Sequence, residues 1–340
     1  MAFAELSNEQ RRQFIDAKQA FEAWRAADRD FRHSYRGTMR WVSVSGAQYL
    51  YRITGAVRNS LGRRSPETER IKTEYTEQRE RLRGRRNRTA ARIKDMDRVN
   101  RAHGLGRMPT IAAKVLRIMD EAGLLGQQLF LVGTHSLYAY EARAGVRFDG
   151  GLTATTDLDL LIDVRRHMSF AVAEDVRPQG IMGLLRKADR SFSRTAEFRA
   201  TNDEGYFVDL IAPMRPDEVS ATAIRLGDSN DDLAAAAILG LQWLINAPKF
   251  EEVVIGEDGR PLWVSCIDPR ALALHKYWVS RQNSREPTKR RRDANQAQAL
   301  ALLAADYLGL DFKAKDLTAL PIEMTRAAKD LVAAARKERE

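Results

Sequence analysis

The sequence predicts an α+β fold: a small mixed sheet with helices in the middle of the chain, flanked by mainly helical N- and C-terminal regions. Three observations predict it. Short apolar runs at 129–132, 157–163 and 206–211 have strand length and are bounded by turn residues. Segments 8–35 and 65–100 carry helical spacing or helix-start signals. The 340 residues are 44% hydrophobic and 30% charged, enough to bury a core and to form two or three domains.

Residues 1–125 read as a basic, mainly helical region. Phe14, Ala17, Phe21 and Trp24 fall on one face of a helix over 8–35. Near 38–53 the period changes to two. Val42 and Val44 alternate with Ser43 and Ser45, and after Gly46 come Tyr49, Tyr51 and Ile53 on one face, with Leu50 and Arg52 on the other. This predicts a β-hairpin whose alternation Leu50 interrupts. Arg40, Tyr51 and Arg52 bring cationic and aromatic groups together there. Such a set can stack bases and hold phosphates, or its tyrosines can simply cover the core; composition leaves both open.

Ser65, Pro66, Glu67 and Glu69 form a helix start: a hydroxyl cap, proline at the first position and acids in the first turn. A long helix is expected to about Asn100. It carries Arg79, Arg81, Arg83, Arg85, Arg86, Arg88, Arg92 and Lys94, too dense a run to be neutralised by acids four residues away. Phosphate contact is the favoured reading, with Arg83 and Arg86 among the candidates. Charge supports it. Residues 1–120 hold 27 Lys and Arg against 14 Asp and Glu, whereas residues 121–340 hold 29 against 32. A basic module beside a near-neutral remainder suggests a polyanionic partner. A further helix from Pro109 through Ile111, Val115, Leu116 and Met119 stops at Gly123.

Residues 126–215 are the expected catalytic core. The run Leu129–Val132 reads as a buried strand ending in a tight turn at Gly133, after which Thr134 and Ser136 are expected to cap a helix. On the strand that follows, Asp157 and Asp159 are two apart, so both carboxylates leave one face while Leu158 and Leu160 leave the other. Like charges side by side repel, and a divalent cation removes that penalty. Asp209 interrupts an apolar strand over 206–211, preceded by a turn at 202–205. If its strand lies beside the first, three carboxylates converge and can hold two metal ions roughly 3.5–4 Å apart. Asp163, at the strand end, is read as structural. His135 reads as a histidine bonded at a helix start rather than as a ligand. No G-x-S-x-G elbow supports a serine hydrolase, and the five histidines show no zinc spacing.

This set resembles the nucleotidyltransferase fold of the DNA polymerase beta superfamily: Gly133 and Thr134 match its glycine and small hydroxylic residue, Asp157 and Asp159 its paired acids, Asp209 its third acid. The chain looks most like a bacterial group of such proteins of mostly uncharacterised function. It is more distantly similar to AbiE- and MenT-type toxin transferases, some of which add nucleotides to tRNA. The resemblance implies a polymerase-beta-type core, with Asp157, Asp159 and Asp209 as catalytic and metal-binding residues and two Mg²⁺, or Mn²⁺, as cofactors. Gly133, Thr134 and Ser136 would bind the nucleotide.

Residues 216–340 read as mainly helical, with one helix over Asp231–Ile245 and a β-hairpin near 252–267 turning at 257–260. Asp268 and Pro269 open a helix bearing Lys276, and a basic run at 289–292 precedes Asp293. By resemblance to the toxin transferases, Lys276 and Arg292 would frame the nucleotide phosphates. A terminal helix follows Asp316.

The lone Cys266 excludes an internal disulfide and lies in an apolar run, as a buried thiol does. The start lacks a secretory apolar segment, and the longest apolar run, 233–245, is too short to span a bilayer, so a cytoplasmic place is expected. The expected function is metal-dependent transfer of a nucleoside monophosphate from an NTP to an RNA, tRNA first, with a toxin or defence role and an antitoxin or other protein as candidate partner. The alternatives are a protein or small-molecule acceptor, and a non-catalytic nucleic-acid binder with a relict fold.

Overall fold

The computed structural model describes residues 3–35, 37–163, 165, 178–214, 224–313 and 315–337. Arg166, expected on the path to the helix near 181–188, lies outside the described residues. The chain forms two compact units. One comprises residues 1–11, 105–258 and 262–340; the other comprises 12–104 with 259–261. The break expected at 125 falls elsewhere because the helix after Pro109 is buried among core residues of the larger unit.

A short strand, β1 (Phe3–Glu5), precedes the helix α1 (Asn8–Ser34). In the smaller unit, β2 (Thr38–Val44), β3 (Ala47–Thr54) and β4 (Val57–Arg63) form an antiparallel sheet in that order. The expected hairpin therefore continues into a third strand. Leu50, which broke the alternation, is fully buried and lies at a register shift between β3 and β4. The helix α2 (Pro66–Ala102) starts as expected. Ser65 accepts from the Thr68 amide, and the Thr68 hydroxyl accepts from the Ser65 amide, a reciprocal cap. The later part of α1 runs antiparallel to α2, through Gln13 to Asn100 and Asp28 to Arg86.

In the larger unit, α3 (Thr110–Glu121) buries Ala112, Val115, Leu116 and Met119. β5 (Leu129–Val132) is wholly buried and ends at Gly133, whose φ of 73° is in the left-handed region that favours glycine. A single tight helical turn over 134–136 leads into α4 (Leu137–Ala144). Neither Thr134 nor Ser136 caps it; the Ser136 hydroxyl donates back to the Leu131 carbonyl at 3.2 Å. Then follow β6 (Val146–Phe148), α5 (Gly150–Thr153), β7 (Asp157–Ile162), α6 (Gly180–Ala188), β8 (Ser193–Arg194), β9 (Arg199–Thr201) and β10 (Phe207–Pro213).

The helix expected over Asp231–Ile245 is not formed. A strand, β11 (Ala236–Ile238), pairs in parallel with the end of β10, and a short helix, α7 (Leu241–Asn246), begins only after Gly240 takes a φ of 90°. Periodicity does not separate helix from strand in so short an apolar run, and the open edge of β10 decides it. β12 (Lys249–Ile255) and β13 (Pro261–Ile267) form the expected second hairpin. It belongs to the central sheet rather than to a separate C-terminal region, because Cys266 on β13 pairs in parallel with Leu131 on β5. The sheet order is β12-β13-β5-β7-β10-β9-β8, with β11 also on β10. Helices α8 (Pro269–Ser280), α9 (Pro287–Leu302) and α10 (Ile322–Lys337) complete the unit.

Candidate active site

Strand register decides which charged residues meet. β7 and β10 are parallel, with Asp209 the partner of Asp159. On the other side of β7, Val132 pairs with Asp159; on the other side of β10, Arg199 pairs with Asp209. One row across the sheet thus reads Val132, Asp159, Asp209, Arg199. Paired residues in such a row share a face. Asp157, two residues before Asp159, shares it as well.

This face opens into a cavity of about 560 Å³ lined by all three acids together with Gly133, Thr134, Lys276 and Arg292. Gly133 fits nothing larger. A Cβ there would lie 2.2 Å from Asp159 Oδ2. Thr134 is buried and accepts from Gln296 Nε2 at 3.3 Å, so α9 braces the turn.

The acids are not equivalent. Burial, reinforced by the charges of Asp157 and Asp209, pushes the Asp159 carboxyl up to about 7, against the opposing pull of Lys276 and Arg285. Asp157 accepts a hydrogen bond from the Thr155 hydroxyl. Asp209 is held at both oxygens by Arg199, Nε to Oδ1 and Nη2 to Oδ2, each at 2.6 Å. Asp163 is buried and clamped by Arg165, as a structural acid should be.

Two helices supply a cationic wall. Lys276, on α8, is buried and donates to Asp293 Oδ1 at 3.2 Å; Arg285 donates to Asp293 Oδ2 at 3.0 Å. Burial lowers the Lys276 pKa, while Asp293 and then Asp159 oppose the shift. Arg292 has a buried Nε with no hydrogen-bond partner.

Among the described residues no three His, Cys, Asp or Glu side chains group into a ready metal cage. The donor set nonetheless suits one hard cation. Asp157 and Asp159 are adjacent carboxylates on one face, and burial together with the neighbouring acids favours the protonated form of Asp159. Asp209 lies beside this pair with each oxygen engaged by Arg199.

Several expected residues lie elsewhere. Ser136, expected to bind nucleotide, is fully buried and turned toward β5, and it does not line the cavity. His135 is buried, with Nε2 3.0 Å from the Tyr206 hydroxyl; burial lowers its pKa to about 4, so it is neutral near pH 7. Arg40, Tyr51, Arg52, Arg83 and Arg86 belong to the smaller unit. Arg86, expected on a phosphate, pairs with Asp28 at 2.7 Å and covers the Phe31 ring. Arg52 sits over the Tyr75 ring. The acids that pair with Arg85 and Arg86 come from α1, which spacing along α2 does not show. Arg83, Arg88 and Arg92 are exposed and form no ion pair among the described residues.

Arg199 was missed. The turn at 202–205, counted outward, places 198 rather than 199 opposite 209; the one-residue offset that brings Arg199 to Asp209 is set by the register of β9 on β10. Arg285 carried no signal, because its role depends on how α8 and α9 close on Asp293.

A family model described as nucleotidyltransferase matches residues 110–321, more than half of the chain. The chain belongs to this nucleotidyltransferase family. Membership makes a nucleoside triphosphate the substrate of this nucleotidyltransferase. The matched residues span every acid and cation of the cavity. Comparison with curated proteins and with solved structures returns no match. Among the described residues no helix is long and apolar enough to cross a membrane.

Proposed function

We propose that this nucleotidyltransferase moves a nucleoside monophosphate from an NTP to an RNA acceptor, using Mg²⁺ or Mn²⁺ held by Asp157 and Asp159, with Asp209 as the acid for a second ion. The observation that carries the reading is the row Asp159–Asp209 beside Asp157, opening into a cavity whose opposite wall is cationic. Bound divalent cations supply charge neutralisation for the triphosphate and acidify a coordinated hydroxyl. The chain's own residues do the rest. The Gly133 turn lets backbone approach a phosphate without a side chain between, and Thr134 keeps a hydroxyl proton to donate. Lys276 and Arg292 would face the phosphates, Arg292 with an unpartnered donor already in place. We read the sheet with its paired and third acids as a polymerase-beta-type core.

The smaller unit supports a polyanionic acceptor. Its residues 12–104 hold 23 Lys and Arg against 11 Asp and Glu, and Arg83, Arg88 and Arg92 stay exposed on α2 after α1 has taken its share. The resemblance to toxin transferases points to tRNA, and to a toxin or defence role with a protein antidote. The test is incubation of the protein with each labelled NTP, Mg²⁺ and total RNA or lysate. Label in RNA, lost in Asp157→Ala/Asp159→Ala, is expected. Label in protein or small molecules alone would replace the acceptor, and no label would remove the reading.

A further inference from the structure

The proposed reading leaves one charged group of the cavity unexplained. Arg199 lies in register with Asp209 and spans both its oxygens at 2.6 Å. Its guanidinium also stacks near Phe207, 4.7 Å from the ring centre, and Phe198, 5.6 Å away. Asp209 is 9% exposed at its side chain and Arg199 is 35% exposed, so the pair is anchored at one end and open to the cavity at the other.

We propose that Arg199 is a counter-ion shared between Asp209 and the nucleotide: it holds Asp209 while the cavity lacks substrate, and turns to the triphosphate when an NTP binds, releasing Asp209 to a divalent cation. The inference rests on the reading of the cavity as an NTP and cation site. Charge requires the exchange. Asp209 stands beside Asp159, and a buried carboxylate next to another carboxylate is costly without a cation. Both of its oxygens are engaged by Arg199, whose positive charge opposes a metal ion at the same carboxylate, so departure of the guanidinium favours cation binding there. A triphosphate outbids a single carboxylate for a planar five-donor fork. Asp209 would then be free to hold a divalent cation, and each anion keeps one partner. No covalent bond changes.

Two binding constants test this on the full-length protein. Mn²⁺ affinity is read from the free-ion paramagnetic signal, and affinity for a non-hydrolysable NTP analogue from calorimetry. Arg199→Met should bind Mn²⁺ about tenfold more tightly without nucleotide and the analogue about tenfold more weakly, the worth of one charge-assisted hydrogen bond. Arg199→Met/Asp209→Asn should lose the gain in Mn²⁺ affinity. A residue with only a structural role would not move the two constants in opposite directions. Unchanged or weakened Mn²⁺ binding in Arg199→Met, or unchanged analogue binding, overturns the proposal. If Arg199→Met does not fold by circular dichroism, Arg199→Lys, which keeps charge but not the fork, should shift both constants the same way by less; no shift overturns it. Asp157→Asn separates the two levels. If it leaves Mn²⁺ binding intact, the cation reading of the cavity fails; if it abolishes binding while Arg199→Met is silent, only the role of Arg199 fails.

Discussion

Gly133 lies against the carboxylate of Asp159, so close that a single added carbon would come within 2.2 Å of Oδ2. The strand end, the turn and the acid are therefore one unit, and the turn cannot carry a side chain without moving the acid.

Gly133→Ala should lower transfer by at least about 100-fold, because displacement of a reacting group by an ångström costs that much. The backbone at Gly133, with φ 73° and ψ −153°, adds a destabilisation of about 1–3 kcal/mol for a residue that carries a Cβ. Urea unfolding and single-turnover transfer measure the two separately; a variant with normal turnover would show that the turn does not position Asp159.

Asp159 titrates near 7 because burial and two neighbouring acids oppose its charge. Mn²⁺ binding should therefore strengthen as pH rises from about 6 to 8, since the cation competes with a proton there. In Asp157→Asn the neighbouring charge is gone, and the titration of Asp159 should move down. Carboxyl carbon chemical shifts followed against pH in the metal-free protein report it, and an unmoved midpoint would deny the coupling of the two acids.

The same shift has a stability sign. The native carboxyl holds its proton to a higher pH than the unfolded one, so its contribution to stability is full below about pH 4 and is lost as pH rises through about 7. Asp159→Asn removes this loss. It should be inactive yet more stable than the parent by about 2–4 kcal/mol at pH 8, with the difference vanishing near pH 4. Equal thermal midpoints at pH 8 would contradict the environment assigned to Asp159.

Asp293 receives Lys276 and Arg285, one on each oxygen. Asp293→Ala strands a buried lysine and should cost about 3–5 kcal/mol in denaturant unfolding. Lys276→Met removes the charge, leaves Asp293 with Arg285, and should cost less while weakening NTP binding. The opposite order of stabilities would mean that Lys276, not Asp293, anchors the two helices.

On the smaller unit, reversal of Arg83, Arg88 and Arg92 to Glu should weaken RNA binding and reduce the slope of log affinity against log salt by about 0.7–0.9 for each phosphate no longer neutralised. Arg86→Glu should instead destabilise the protein, because Asp28 then meets a like charge. RNA affinity unchanged in the triple reversal would remove the acceptor role from α2.

Legibility followed the range of the interaction. The spacing of Asp157 and Asp159, the glycine turn and the Ser65 cap are local, and each appeared where its pattern placed it. Asp209 was legible as an acid that an apolar strand would not carry without a partner. What stayed hidden was set by pairing between distant segments. Arg199 needed the register of β9 on β10. The acids that pair with Arg85 and Arg86 needed α1. The segment 231–245 took its form from the open edge of β10, and the second hairpin joined the sheet because β5 had a free side for β13.

That last pairing joins segments that are made far apart in time. β5, which ends at the Gly133 turn, leaves the ribosome more than a hundred residues before β13, its parallel neighbour, and longer still before Lys276 and Arg292. A nascent chain holding all three aspartates thus still has a bare strand edge and no cationic wall. A chain truncated before residue 260 should therefore expose the edge of β5 and lack nucleotide transfer.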